Sequence, residues 1–361
     1  MMSFMALCAI AAPALSMRIG MPDDGNAANA TTQRKGYDLL ADGFGRGFNG
    51  PILVVIDIPT RADHVAVNRI HDALQADPGV AAVTAPVFNA ASDTAMLTTN
   101  PTTAPQDENT DTLVRHLRSD VLPTAVQGTD AKALLAGQAM VTDLTDRISS
   151  RMPIFIAAIV AMSFLLLMIV FRSILVPLKA ALMNLLSIAA AYGVIVAVFQ
   201  WGWANELIGL QHTMPINPFA PLIMFAILFG LSMDYEVFLL SRIREEYLTT
   251  GDSHKSVVTG LSNTARVITS AALIMISVFG AFVLGDDPNG KLFGVGLAVA
   301  VFLDATLVRM VLVPATMSLF GRANWWLPTW LERILPHLDL EGAPKDAEVI
   351  DVVPERELIA A

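Results

Sequence analysis

Five apolar blocks constrain this chain more than anything else in it. They run over residues 153–171, 175–199, 218–240, 267–284 and 292–320, separated by short polar connections. A helix crosses the hydrocarbon layer in roughly 20 apolar residues, so each block is long enough to span. A further block at 1–16, MMSFMALCAIAAPALS, is of borderline length. A signal peptide would have a basic start and a small-residue cleavage site, and Ala11-Ala12-Pro13-Ala14 is a poor one. The better reading of 1–16 is a partial transmembrane helix. The chain has 361 residues, 54% of them hydrophobic and 16% charged, which is too apolar for a soluble protein of this length. The expected fold class is a polytopic α-helical membrane protein with five to six transmembrane helices, the bundle occupying 153–320.

Residues 17–152 differ in kind. They carry 16 acidic and 11 basic side chains and read as a water-soluble domain. A polar loop through Asp23, Asp24 and the Thr31-Thr32 pair leads to a short helix over 37–44. A buried-strand pattern follows at 51–57, then an amphipathic helix over 61–75 that stops at Asp77-Pro78-Gly79. Shorter strands are expected at 80–87 and 95–98, a second helix at 110–122 and a last strand at 131–136. This βαββαβ order suggests a ferredoxin-like α+β module. Residues 143–151 should run as a helix directly into the first span. Beyond the spans, 321–338 contains Trp325, Trp326 and Trp330 between Arg322 and Arg333 and reads as an interfacial amphipathic segment. Residues 339–361 carry 7 acidic and 2 basic groups and read as a disordered tail.

Several functions find no footing. The single cysteine, Cys8, offers no disulfide framework and no cysteine-based metal site. His64, His71, His116, His212, His254 and His337 form no ligand-spaced pair, so neither metal nor cofactor is expected. No basic stripe suggests nucleic acid, and no Walker-type loop suggests ATP as an energy source.

Basic residues in short loops give an orientation. Arg172 and Lys179 lie between the first two spans, Arg242, Arg244 and Lys255 between the third and fourth, and Arg322 and Arg333 after the last. The alternate connections, 200–217 and 285–290, have none. The positive-inside rule places the basic loops and the C-terminus in the cytoplasm and residues 17–152 outside it, in a plasma-membrane protein.

The third block ends in Phe229-Gly230-Leu231-Ser232-Met233-Asp234-Tyr235-Glu236-Val237-Phe238-Leu239-Leu240. Asp234 lies about 8 residues, or ~12 Å at ~1.5 Å per residue, before Arg242. A carboxylate inside the hydrocarbon costs several kcal/mol at least, and such groups mark ion pathways and proton relays. The plainer alternative is a buried pair that only holds helices together. Asn263, Arg266 and Ser270 recur at i, i+3 and i+7 on the fourth span and share one face. Asp304 and Arg309 lie on the fifth.

A proton relay fits these groups. Burial favours the protonated form of a carboxyl, and a hydroxyl from Tyr235 or Ser270 can hydrogen-bond either state. Glu236, Arg266 and Arg309 supply supporting charges. Five residues separate Asp304 from Arg309, too far round an α-helix for a clean i,i+4 pair. Arg309 is therefore expected to snorkel to the cytoplasmic interface or to meet a different helix. Asp304 is either a second relay carboxylate or a structural partner of Arg266. Paired aspartates on two spans also raise an intramembrane aspartyl protease. Gly230, four residues before Asp234, does not give the GxGD spacing of such enzymes.

FGLSMDYEVFLLSRIREEY, SNTARVITSAALIM and VFLDATLVRMVLVPA resemble the MMPL transporters of the resistance–nodulation–division superfamily. GYDLLADGFGRGFNGP resembles the start of their extracytoplasmic porter domain. The resemblance implies a transporter with twelve spans in two halves, driven by protons and exporting lipids, lipopeptides or drugs. It implies no enzyme activity. It also implies that Asp234 and Tyr235 are the second-half relay pair and that Ser270 lines the relay. This sequence matches only the second half and holds no second Asp-Tyr motif of that kind. The expected partners are membrane lipids, protons, a hydrophobic or lipid-like substrate, and a missing N-terminal half or another copy of the chain. The alternative is a membrane interaction protein that keeps the fold without transporting.

Overall fold

The computed structural model describes residues 2–332. The expected tail at 339–361, and residues 333–338 of the expected interfacial segment, lie outside the described residues. Helix α1 (Met2–Ala11) continues as a tight turn to Ser16. Helix α2 (Thr32–Phe44) starts where the Thr31 hydroxyl accepts from Arg34 N at 3.3 Å and ends at Gly45.

Strand β1 (Ile52–Asp57) buries Ile52, Val54 and Ile56 completely and leaves Leu53 and Val55 half-buried, the alternation of a sheet with two unlike faces. Helix α3 (His64–Gln75) turns Ala66, Val67, Ile70 and Leu74 toward that buried side. Strands β2 (Val80–Val83), β3 (Val87–Phe88) and β4 (Thr94–Pro101) follow. The single strand expected over 80–87 is thus broken in two at 84–86, where Pro86 has no N–H to give a ladder. Helix α4 (Glu108–His116) passes through a π-helical turn, Leu117–Val121, into α5 (Leu122–Ala125), and β5 (Lys132–Gly137) completes the sheet.

The sheet order is β2-β4-β1-β5 with β3 paired to β4, and all pairings are antiparallel. Ile70 and Leu74 of α3 and Leu113 and Val114 of α4 pack with Ile52, Val54, Ile56 and Leu97 in one core. Both helices therefore cover the same face, while Met96 and Leu134 on the other face are exposed. Each fully buried aliphatic side chain stabilises the region by about 1.5–3 kcal/mol. The chain leaves the sheet at Gly137, whose φ is 65° and whose missing Cβ would stand 2.5 Å from the Pro51 carbonyl oxygen. Only glycine permits that turn.

Helix α6 (Gln138–Phe171) runs 34 residues without a break, about 50 Å at ~1.5 Å per residue. Its first turns belong to the α/β region. Thr142 donates to Asp111 at 2.7 Å, and ion pairs Arg115–Asp146 and Arg118–Asp143 close at 2.8 and 2.5 Å. Residues 143–151 do continue directly into the first span, so one rigid element belongs to both regions.

Helices α7 (Leu175–Ile195), α8 (Asn205–Ile208), α9 (Phe219–Thr250), α10 (Ser253–Ala281) and α11 (Pro288–Leu303) follow. The last continues through a π-helical stretch, Asp304–Leu312, into α12 (Val313–Phe320), and α13 (Thr329–Glu332) comes after a turn. Among the described residues five helices are long and apolar enough to cross a membrane, and Met2–Ser16 is shorter. Helix α1 nonetheless packs hard on α7: a Cβ at Gly193 would stand 1.9 Å from the Ile10 carbonyl oxygen, and Leu7 is fully buried. The α/β region meets the 200–217 connection. Ile19 bridges Ile216, Arg18 N donates to Gln200 Oε1 at 3.2 Å, and Asn26 donates to the Thr213 carbonyl at 3.0 Å. Helices α6 and α10 are the least covered of the five spans.

Candidate functional site

Lipid offers no partner to a polar group, so a polar cluster in a bundle must satisfy itself or face water. Such a cluster joins α7, α9 and the last span. Arg309 is 0% exposed. Its Nε donates to Asp304 Oδ2 at 2.8 Å, and its Nη2 donates to the Ser232 hydroxyl at 2.8 Å and to the Ser232 carbonyl. Its Nη1 lies 3.6 Å from Glu236 Oε2, and Glu236 is 1% exposed. Ser232 and Glu236 are four residues apart on α9 and so share its inward face. Lys179, 6% exposed on α7, adds a second buried cation.

The Asp304–Arg309 pair corrects the expectation that five residues are too far apart to meet; of the two courses expected for Arg309, it does not snorkel outward but does meet a different helix, α9, at Ser232 and Glu236. Asp304–Leu312 is π-helical. A π-helix bonds i to i+5, which brings residues five apart onto one face. Asp304 is likewise not the partner of Arg266: it is held by Arg309 and Ser232, while Arg266 is exposed on α10.

Beside the cluster is a cavity of about 20 Å³ lined by Asn184, Ser187, Ser232, Tyr235 and Asp304 among apolar neighbours. That volume suits about one water. The Ser232 oxygen lies 2.5 Å from Asn184 Oδ1 and 3.0 Å from Asp304 Oδ1, yet its hydroxyl has one proton. The Asn184 orientation that donates Nδ2–H to Ser232 resolves this, and it also gives the otherwise unpartnered Nδ2 a bond. Ser232 then donates to Asp304.

Tyr235 stands at the edge of this cluster. Arg309 lies over its ring, 5.3 Å from the centroid, and its hydroxyl donates to Met275 Sδ at 3.6 Å. Asp234 is exposed on the outward face of α9. Asn263, Arg266 and Ser270 are exposed along α10. The structure therefore brings together Asp304, Arg309, Glu236 and Tyr235, and leaves Asp234, Ser270 and Arg266 on uncovered faces. Asp304 is ion-paired and Asp234 faces outward, which takes away the paired-carboxylate geometry behind the protease reading.

Sequence reasoning passed over Ser232, Asn184 and the burial of Lys179. Ser232 stands in the quoted motif four residues before Glu236, a spacing that assigns it to the Glu236 face. Asn184 is the lone amide of the 175–199 block. Lys179, expected among the charges between the first two spans, sits within α7 and donates to Asn324 Oδ1 at 3.1 Å. No group of three metal-ligating side chains occurs among the described residues.

Comparison with known proteins matches residues 55–336 to the model of the MMPL family. Membrane protein YdfJ of Bacillus subtilis (strain 168) is 39% identical over 351 residues, covering 96% of this chain and 48% of that protein. The mycolic acid-containing lipids exporter MmpL11 of Mycolicibacterium smegmatis is 38% identical over 362 residues, covering 98% and 38%. The heme uptake protein MmpL11 of Mycobacterium tuberculosis (strain ATCC 25618 / H37Rv) is 39% identical over 354 residues, covering 96% and 36%. The chain spans about half the length of these curated relatives, or less.

Proposed function

Because this chain belongs to the MMPL family of membrane transporters, we propose that it is the C-terminal half of a proton-driven exporter of lipid-like or other amphiphilic molecules. One observation carries the reading. A carboxylate, Asp234, is exposed on an otherwise apolar span, next in sequence to a tyrosine that touches a buried Asp304–Arg309–Ser232 cluster. A charge on a lipid-facing surface costs several kcal/mol, so the outward faces of α9 and α10 call for a polar covering. An N-terminal half of the transporter, or a second copy of this chain, would supply it. Asp234 then takes the proton, Tyr235 and Ser270 hydrogen-bond its two states, and Asp304 is the second relay carboxylate. Arg309, Glu236 and Arg266 set the local charge.

Residues 17–152 are proposed as an extracytoplasmic ferredoxin-like porter domain. In support, four of its strands follow the order β2-β4-β1-β5, all antiparallel, with α3 and α4 on one face. For the orientation, with the C-terminus in the cytoplasm of a plasma-membrane protein, the support is the arginines at 172, 242, 244 and 322. These lie at the span ends away from the α/β region. A lipid exporter and a heme uptake protein among the relatives both handle large, largely apolar molecules, which supports that cargo class here.

The test is proton flux driven by a pH gradient in proteoliposomes made from the protein isolated from its native membrane. Asp234→Asn should abolish gradient-dependent flux and cargo release while the protein stays folded. Undiminished flux in that variant would sink the relay assignment.

A further inference from the structure

Asp234 on α9 and Arg266 on α10 pose the same problem with opposite sign. Both are exposed within apolar spans, and neither forms a hydrogen bond or ion pair with a described residue. We infer that the outward face of α9 and α10 is an interface between two copies of this chain, with Asp234 of each copy paired to Arg266 of the other. The inference rests on the proposed reading that this face needs a polar covering, and it names the partner.

The depths of the two charges agree. Helices α9 and α10 are joined by the turn at Gly251 and run antiparallel. A Cβ at Gly260 would stand 2.7 Å from Ile243 Cγ1 and 3.0 Å from its Cα, so these two residues lie side by side. Six residues farther from the turn on each helix, Arg266 comes level with Val237. Asp234 lies three residues beyond Val237, about 4.5 Å along the axis at ~1.5 Å per residue. That offset is within the reach of an arginine side chain. A two-fold axis along the membrane normal keeps each group at its own depth, so the two Asp234–Arg266 pairs close together.

The rest of the face suits a close helix contact. Ile223, Ile227, Gly230 and Asp234 recur at i, i+4, i+7 and i+11 on α9, and all four are exposed. Nothing lies within 4 Å of where a Cβ on Gly230 would stand, so a facing helix can come near one turn from the acid. On α10, Val267 and Ile274 are 54% and 65% exposed beside the polar stripe. Helix α10 is also the least covered of the five long helices.

Charge complementarity selects a second copy as the cover. The face carries one acid and one base, and an isologous contact satisfies both with no group from elsewhere. Lipid headgroups lie outside the hydrocarbon layer and cannot neutralise charges at this depth. An unpaired charge there costs several kcal/mol, so pairing favours association.

The experiment measures the dimer dissociation constant of the purified 361-residue chain in detergent by analytical ultracentrifugation. Asp234→Arg and Arg266→Asp should each weaken the dimer tenfold or more, because each sets like charges face to face. The two substitutions in one chain exchange the charges and should restore the wild-type constant. If a single variant melts below the wild type, cross-linking decides instead. Asp234→Cys chains mixed with Arg266→Cys chains, all carrying Cys8→Ser, should be joined by a short bifunctional thiol reagent. A monomeric wild type overturns the second copy as the cover. Single reversals that leave the dimer unchanged, or mixed cysteines that do not join, overturn the pairing. The readouts need neither gradient nor cargo, so this interface can fail while proton flux stands, and flux can fail while the dimer stands.

Discussion

Asp234 and Glu236 are two residues apart on α9, yet the helix treats them in opposite ways. Glu236 is 1% exposed and lies 3.6 Å from a fully buried arginine. Asp234 is exposed and faces away from the bundle. A helix turns about 100° per residue, so neighbours at i and i+2 stand on nearly opposite sides. On the inward face Arg309 pairs with Asp304 at 2.8 Å and lies 3.6 Å from Glu236, so both carboxylates meet a cation within this chain. The outward face leaves its own carboxylate without one. One span therefore carries charge in two settings: an ion-paired cluster on the inward side and an uncovered carboxylate on the outward side.

The comparison is broken most directly at the ion-paired cluster. Arg309→Met strips the cation from Asp304 and from Glu236 together. Removing one partner of a buried pair costs about 3–5 kcal/mol, so the bundle should lose much of its stability, read as a fall in melting temperature in detergent. Retention of the wild-type melting temperature would mean that the cluster is not what holds α9 to the last span.

Neutralising the two carboxylates one at a time sharpens the contrast. Glu236→Gln should destabilise by less than Arg309→Met, because it removes the carboxylate 3.6 Å from Arg309 Nη1 and leaves Arg309 paired with Asp304. Added to Arg309→Met it should cost less than alone, because the carboxylate it removes has by then lost its cation. Asp234→Asn should leave the stability of this chain within about 0.5 kcal/mol, as surface changes do, while removing gradient-driven flux. Equal stability losses from the two substitutions would erase the distinction between the faces. Ser232→Ala acts on the same cluster as Glu236→Gln. It removes the hydroxyl shared by Arg309, Asp304 and Asn184 and should cost about 1–3 kcal/mol for the donors and acceptors left unpaired.

Much of this was legible in the sequence, and what was missed has physical reasons. The five spans follow from block length, and the strand–helix order of 17–152 follows from its periodicities and stop signals. The charged residues of the cluster were visible as charges inside apolar blocks. Their pairing was not, because α-helical spacing was assumed where Asp304–Leu312 is π-helical. Nothing in the residue pattern there marks the wider helix. Lys179 and Asn324 lie 145 positions apart, a contact that only the packed fold creates. Asn263, Arg266 and Ser270 were correctly placed on one face of α10, but their spacing does not say what that face meets.

The smallest effect concerns a carboxylate in the α/β region, where the problem posed by Asp304 is solved without a cation. Asp63 is 4% exposed. It accepts from the Thr60 hydroxyl at 2.7 Å, Thr60 N at 3.0 Å and Asp130 N at 3.0 Å. The Thr60 hydroxyl, followed by the Asp130 amide, holds its carboxyl below the usual range. A carboxyl with a depressed folded pKa contributes stability that is present above its unfolded value, about 3.9, and lost as pH falls through the folded value. Asp63→Asn removes the charge and keeps the shape. At neutral pH the variant should therefore melt below the wild type, and the gap should close as the pH falls beneath about 3.9. The reading is the melting temperature of the α/β region, followed by circular dichroism in the intact chain across that range. A gap that stays constant with pH would show that the three bonds do not depend on charge.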